Sequence, residues 1–584
     1  MKVFPKRDKI DYSLKNTDKI VKMGIKHFYY WMKKNFGSQT NTDLRRGQPM
    51  PQEVDVFLMD LNGIFHNSAQ KIFQYGNHKP EPRLLHSAPT KPNYHRTQKK
   101  VFDDVCRTID IMVKKVNPTS TVVMCIDGPA PLSKQVQQRE RRYKSAAEST
   151  GDCIFDSNAI TPGTVFMDQL SRSIDGWLRT KMIQDPVWNR LNVIFSNEKS
   201  PGEGEHKCLD YVRKTGKADD RYCIHGMDAD LIMLALASGR ETFYVIREEM
   251  YDKRFDFSII DICRLRKALE GEMHWETSEK RCNNKSLIED FILLCFLVGN
   301  DFLPHIPSIE IIENGIPLIL EFYQRTAEVH GHFVDWNEKR PLLNMPAIKS
   351  FFEAVASQEE NMFLNKMRHR SSFFPDPLLD ECSTFSGSTM TFDITRFRSE
   401  YLREHFAGHR LTDVCNSYFE GMQWVLEYYL SGVPNWDWYC PMHHAPTAYH
   451  LSQKADEYSP TPWGRSSPST PLLQLLSVLP PKSARLLPDS MRGILTEDTS
   501  SFAPYCPQVF DIDLSGKRKE WEGIAMLPYL DYNLARKLHR ISSRNFSTQE
   551  KKRDIRGKSF QYAVVFPENS PGIPKVESCI TNDL

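Results

Sequence analysis

Short apolar runs that stop at or just before a carboxylate recur through the first half of the chain. Val54 to Met59 (VDVFLM) ends at Asp60, Val122 to Ile126 ends at Asp127, and Arg221 to Met227 ends at Asp228-Ala229-Asp230. Asn192 to Ser196 leads into Pro201-Gly202-Glu203-Gly204-Glu205-His206-Lys207. Their length and β-branched content predict buried strands. Segments of helical period lie between them: Val101 to Val116, the apolar LIMLALA after Asp230, and Val165 to Met182 with Phe166, Leu170, Ile174 and Trp177 on its buried face. Ser286 to Val298 predicts another helix, opened by a capping box of Ser286 with Glu289 and closed at Gly299-Asn300-Asp301. Residues 76 to 98, rich in Pro, His and basic side chains, predict a surface loop. The strand-then-helix alternation predicts an α/β fold built on a largely parallel sheet flanked by helices.

In such sheets functional groups collect beyond the carboxyl ends of the strands. Asp60, Asp127, Glu203 with Glu205, and Asp228 with Asp230 all follow strand-like runs, and Asp301 follows a helix. Singly, each has an ordinary explanation as a helix cap or turn residue. Together, seven carboxylates converging on one crevice repel one another unless cations neutralise them. Oxygen-only ligands select Mg²⁺ or Mn²⁺, and two such ions serve in-line displacement at phosphorus, which predicts phosphodiester hydrolysis. Glycines on either side of Glu203 let the backbone bend sharply, so that both glutamates can face one place.

After Asp127 the turn residues Pro129 and Pro131 precede a polar segment in which Lys134, Gln138, Arg141 and Arg142 fall on one helical face. A charge run of this kind is often a solvated face; the neighbouring Asp127 favours an anion site instead. Whole-chain charge adds nothing, since 76 basic and 74 acidic side chains give +2, and a nucleic-acid partner would be held by local clusters. With 584 residues and 40% apolar content the chain can bury a large core. Thirteen cysteines without CxxC pairs read as reduced thiols of a cytoplasmic, or alternatively nuclear, protein. The longest apolar run, Phe291 to Val298, is too short to cross a bilayer, so no membrane association is expected.

The chain resembles the Xrn family of 5′-to-3′ exoribonucleases. The resemblance rests on Met23-Gly24-Ile25, Leu58 to His66 (LMDLNGIFH), Ile126-Asp127-Gly128 with the Lys134 to Ala146 helix, Ile160 to Thr164, Pro201 to Lys207, Met227 to Met233 and Val298 to His305. It resumes at Gly421 to Leu426 (GMQWVL) and at Trp436 to Pro446 (WDWYCPMHHAP). It implies a 5′-nuclease, PIN-like core with a second, mainly helical conserved region packed against it, acting as a monomer. It also implies hydrolysis of single-stranded RNA from a 5′-monophosphate end, one nucleotide at a time, with two divalent ions. By motif match, Asp60, Asp127, Glu203, Glu205, Asp228, Asp230 and Asp301 become the metal-binding acids, and Lys134, Gln138, Arg141 and Arg142 the 5′-phosphate pocket. His66 would stack on the first base opposite Trp436 or Trp438.

The organisation expected from this is a basic extension (1–22), a nuclease region (23–330), a variable linker (331–400) whose FFPDPLLDECSTFSGSTMTF stretch reads as loop, a helical region (401–540) and a tail (541–584). The extension carries seven lysines and arginines against three aspartates, net +4, and reads as an electrostatic arm that captures RNA. Cys440, His443 and His444 lack the second ligand pair of a zinc site. Two rival readings are a structure-specific DNA 5′-nuclease and a non-catalytic RNA-binding protein. The basic helix disfavours the first, and the presence of all seven acids disfavours the second.

Overall fold

The computed structural model describes residues 27–45, 47–78, 94–148, 155–249, 254, 256–278, 282–311, 315–368, 374–387, 389–565 and 575–581. The basic extension and Met23-Gly24-Ile25 lie outside the described residues. Nine strands form one sheet: β1 (Asn41–Leu44), β2 (Val56–Asp60), β3 (Thr121–Cys125), β4 (Asn192–Ser196), β5 (Tyr222–His225), β6 (Phe243–Glu248), β7 (Phe257–Asp261), β8 (Ser559–Val565) and β9 (Lys575–Thr581). Their order is β1-β7-β6-β5-β2-β3-β4-β8-β9. The five central strands, β6-β5-β2-β3-β4, are parallel. Antiparallel strands extend both sides, so the expected parallel sheet holds at its centre and not at its edges.

The central strands are buried on both faces, which explains their nearly continuous apolar sequence. Alternate residues feed opposite layers. Leu58 and Val123 pack with the helices α6 (Gly204–Lys214), α7 (Asp230–Ala237), α8 (Ile262–Met273) and α9 (Asn284–Phe296). Phe57 and Met124 pack with α2 (Asn62–Phe73), α3 (Tyr94–Val116) and α5 (Val165–Gln184) on the other side. The helix α1 (Phe28–Thr40) packs on α8 in the first layer, and α4 (Leu132–Glu148) follows β3. Register aligns the strand ends: Asp60 lies opposite Cys125, and Cys125 opposite Ser196. The loops leaving β2, β3, β4 and β5 therefore open on the same side of the sheet.

The second region joins this core. Helix α10 (Leu411–Ser431) buries Tyr418, Trp424 and Tyr428 against α7 and α9. Helix α11 (Pro471–Val478) packs on α4.

Several expectations need correction. Tyr94 to Gln98 belong to α3, because the helical period of this segment begins before Val101. α9 is capped by Asn283, whose side-chain oxygen accepts from the amides of Lys285 and Ser286; Glu289 instead bonds the Trp336 indole, so no capping box forms at Ser286. Trp177 is half-buried, edge-on to Trp188. The linker stretch expected as loop contains a helix (Pro377–Glu381) and a hairpin (Ser383–Ser386 with Thr389–Phe392), stabilised by burial of Leu379 and Phe392. The tail folds as β8 and β9, with Tyr562 of β8 buried against the sheet through pairing with Val193.

Candidate active site

A cavity of about 2730 Å³ opens beyond the carboxyl ends of the central strands. Six of the seven predicted acids line it: Asp60, Asp127, Glu203, Glu205, Asp228 and Asp301. Asp230 does not line it; it is buried in the first turn of α7, close enough to Tyr429 to help raise that hydroxyl's pKa. Carboxylate oxygens of Asp60, Asp127 and Glu205 lie within 4.8 Å of one another.

Local structure explains this closeness. Gly202 adopts φ +109°, a conformation that favours glycine, and turns the chain toward Glu203 at the start of α6. A Cβ on Gly204 would stand 2.4 Å from Asp60 Oδ1, so only glycine admits the aspartate here. The Gly204 amide, one of the donors at the α6 N-terminus that have no partner within the helix, donates a hydrogen bond to Asp127 Oδ1 at 2.8 Å.

Lys134 Nζ sits 2.5 Å from Glu203 Oε2 and 2.8 Å from Asp301 Oδ2. Burial alone would lower its pKa, but Asp301, Glu203 and Glu205 hold it well above the ordinary lysine value. One ammonium does not offset six carboxylates. Burial, with repulsion from Asp127 and Asp228, raises Asp60 well above the carboxylate range, and burial with Glu203 does the same to Glu205. A buried all-oxygen cluster that resists its own ionisation has the chemistry of a divalent-cation site. The second region steadies it: the Tyr428 hydroxyl donates to Glu203 Oε1 at 2.7 Å, and the His206 ring stacks on Tyr428 with centroids 3.7 Å apart.

Further along α4, Gln138, Arg141 and Arg142 line the same cavity. Arg142 is buried, and its guanidinium donates to two neutral acceptors, Gln138 Oε1 at 3.2 Å and Thr161 Oγ1 at 2.9 Å. Burial and the adjacent Arg141 lower its pKa to about 9, still cationic at neutral pH. This pair of adjacent guanidiniums is arranged for an anion. His66, on α2, shares the cavity; burial with Arg141 and Arg142 pushes its pKa down to about 3, so its ring is neutral and available for stacking.

Trp436 and Trp438 do not line the cavity, which corrects the expected stacking partner. Trp438 is core, stacked on Trp424 at 5.1 Å, and Trp436 lines a small crevice with Leu132 and Gln135. Their backbone serves α4 instead. The carbonyls of Trp436 and Trp438 accept from the amides of Leu132 and Ser133, which fixes the start of that helix from the second region. The tryptophan that does line the cavity is Trp521. Its signal in the sequence is the basic run ending in an aromatic, Lys517-Arg518-Lys519-Glu520-Trp521. Tyr428 had no comparable signal, since it falls on the buried face of a helix like any core residue.

Comparison with known proteins places the chain in a family. The family description "XRN 5′-3′ exonuclease N-terminus" matches residues 23–249, and "Xrn1 helical domain" matches 281–382 and 394–573. The chain belongs to the XRN exonuclease family. Human 5′-3′ exoribonuclease 1 is 26% identical over 96% of this chain and 37% of its own length. The 5′-3′ exoribonuclease 2 of Gallus gallus is 27% identical over 87% of this chain and 69% of its length. The 5′-3′ exoribonuclease 1 of Saccharomyces cerevisiae is 25% identical over 93% of this chain and 44% of its length. This XRN chain thus spans from 37% to 75% of the length of curated relatives it matches. A solved structure of the Rad2 catalytic core in complex with DNA substrate matches remotely, at TM-score 0.32 and 12% identity, over 74% of this chain and 98% of that one. Among the described residues of this XRN member, no helix is long and apolar enough to cross a membrane.

Proposed function

We propose that the chain is a divalent-metal-dependent 5′-to-3′ exoribonuclease that removes mononucleotides processively from single-stranded RNA bearing a 5′-monophosphate. The observation that carries this reading is one cavity lined both by six carboxylates and, along α4, by the adjacent Arg141 and Arg142. Asp60, Asp127 and Glu205 would hold one Mg²⁺ or Mn²⁺, and Glu203, Asp228 and Asp301, with Asp230 behind them, would serve a second. When bound, the ions supply Lewis acidity at the scissile phosphate and at the oxygen that leaves.

The protein's own groups position the strand. Arg141 and Arg142 grip the terminal phosphate with charge-assisted hydrogen bonds, and Gln138 fixes the Arg142 fork through its carbonyl. His66 and Trp521 offer flat faces to the first bases, a contact that tolerates any sequence. Lys134 stands at the junction, its ammonium already among the acids where negative charge concentrates. The chain acts as a monomer in RNA decay, in the cytoplasm or nucleus.

Digestion of matched RNA and DNA strands, each with a 5′-monophosphate, tests the reading. Metal-dependent release of mononucleotides from RNA is expected, with DNA cut far more slowly; equal cutting of DNA, or endonucleolytic products, would favour a DNA 5′-nuclease instead.

A further inference from the structure

The run Lys551 to Lys558, KKRDIRGK, is a weak basic cluster alone, but the fold sets it beside another. Helix α12 (Tyr532–Ser542) carries Arg536, Lys537 and Arg540, Arg544 follows it, and α13 (Thr548–Arg553) carries Lys551 and Lys552. His539 Nε2 lies 2.8 Å from Asp554 Oδ2 and ties the two helices together. Between Asp531 and Lys558, nine lysines and arginines oppose three acids, net +6, in a chain whose total is +2. The remaining residues therefore sum to −4, so this surface differs in sign from the rest.

All three acids are engaged locally. Asp531 accepts from the amides of Asn533 and Leu534 as the α12 cap, and Glu550 closes the capping box of α13 with Ser547. Asp554 accepts from the Leu472 amide and faces His539. Among the cations, Arg553 and Arg556 donate to the carbonyls of Gly163 and Pro468, and Arg536 to Asn533 Oδ1, contacts that do not neutralise their charge. Every one of the nine except Arg553 is exposed, and among the described residues only Arg536 is paired with a carboxylate, that of Asp437. The patch also runs back toward the cavity. Lys482 and Arg485 line the cavity wall, and Arg492 donates to the carbonyls of Arg485 and Leu487, its charge reaching Glu550 of α13. Arg485 and Arg492 are themselves paired with Asp156 and Asp489, so the unpaired charge lies on α12, α13 and the segments that follow them.

We infer that this band is a docking surface for the phosphate backbone of RNA outside the active-site cavity. The inference rests on the ribonuclease reading above and extends it to the length of RNA the protein holds. Uncompensated cations on rigid short helices attract phosphates without reading bases, releasing counterions as they bind. The surface thus adds affinity for long strands and nothing for strands that end inside the cavity.

The test compares the parent chain with Arg540→Gln/Arg544→Gln/Lys551→Gln/Lys552→Gln and with the milder Lys551→Gln/Lys552→Gln, should the fourfold variant fold poorly by circular dichroism. Binding is read by fluorescence anisotropy in an Asp228→Ala background, on 5′-phosphorylated RNAs of about 30 and about 6 nucleotides. Affinity for the long RNA should fall about tenfold or more in the fourfold variant, and its salt dependence should become shallower by about 0.7 for each phosphate no longer neutralised. Binding of the short RNA, and its hydrolysis in the otherwise unaltered enzyme, should not change. Unaltered affinity and slope on the long RNA would overturn the inference and leave the patch to an acidic protein or lipid surface. Equal losses on both RNAs would also overturn it, by placing these cations on the path into the cavity. If the parent enzyme hydrolyses neither RNA, the ribonuclease reading fails, while the anisotropy comparison still decides the surface.

Discussion

Glu203 shows how much of the site is held by contacts among its own side chains. One of its oxygens takes the Tyr428 hydroxyl and the other the Lys134 ammonium, and Tyr428 is itself held by the stacked His206 ring. Tyr428 is a positioning residue. Tyr428→Phe keeps the stack and removes the hydrogen bond; partners of this kind are worth about 10- to 100-fold in metal affinity. Titration of Mn²⁺ by electron paramagnetic resonance should show that weakening, with the fold intact, and an unchanged affinity would remove Tyr428 from the site. Along α4, Arg141→Ala would remove the charge-assisted contact proposed for the terminal phosphate, worth roughly 1.5–3 kcal/mol. The preference for 5′-monophosphate over 5′-hydroxyl RNA, measured as a ratio of kcat/KM values, should narrow by about tenfold or more; an undiminished ratio would move the phosphate pocket elsewhere.

At the scale of elements, the bend at Gly202-Glu203-Gly204 decides whether α6 can bring Glu205 to Asp60. A Cβ at Gly204 clashes only with the Asp60 carboxylate and meets backbone, the Cys125 carbonyl, at an ordinary 3.4 Å, so Gly204→Ala should fold yet displace a carboxylate proposed to hold metal. Misplacement of about 1 Å costs on the order of 100-fold in rate, which single-turnover hydrolysis would detect; a fully active variant would contradict the close approach. Strand-end acids and the α4 face were legible in the sequence because they follow from run length, helical period and turn chemistry: a short apolar run must end somewhere, and at Asp60 and Asp127 it ends on a carboxylate. The WDW segment was misread because an aromatic side chain looks the same in sequence whether it stacks on a base or on Trp424. What these residues do for α4 is done by their carbonyls, which leave no mark in the sequence. The β8 and β9 strands were missed because neither alternates cleanly: β8 buries only Ser559 and Tyr562, and β9, at the edge of the sheet, is mostly exposed.

Across the whole molecule, the two regions are one working unit. The sheet supplies Asp60, Asp127, Glu203, Glu205 and Asp228, while the helical region supplies Tyr428, the carbonyls that start α4, and Trp521. On the proposed metal reading, a divalent cation would neutralise carboxylates whose pKa values burial and mutual repulsion raise. Binding to the native state alone stabilises by about 2.7 kcal/mol at a hundredfold excess over Kd. Calorimetry should therefore show Mg²⁺ or Mn²⁺ raising Tm, with the increase lost in Asp228→Ala; a metal-independent Tm in the parent chain would contradict the cluster's assignment.

The most direct test follows mononucleotide release from otherwise identical RNAs ending in 5′-monophosphate, 5′-hydroxyl or 5′-triphosphate, in millimolar Mg²⁺, for the parent chain and for Asp228→Ala and Glu203→Ala. The account predicts rapid stepwise release from the monophosphate RNA alone, stopped by chelation. Both variants should bind that RNA and fail to hydrolyse it. Hydrolysis at parental rate by either variant, or equal rates on all three ends, would contradict it.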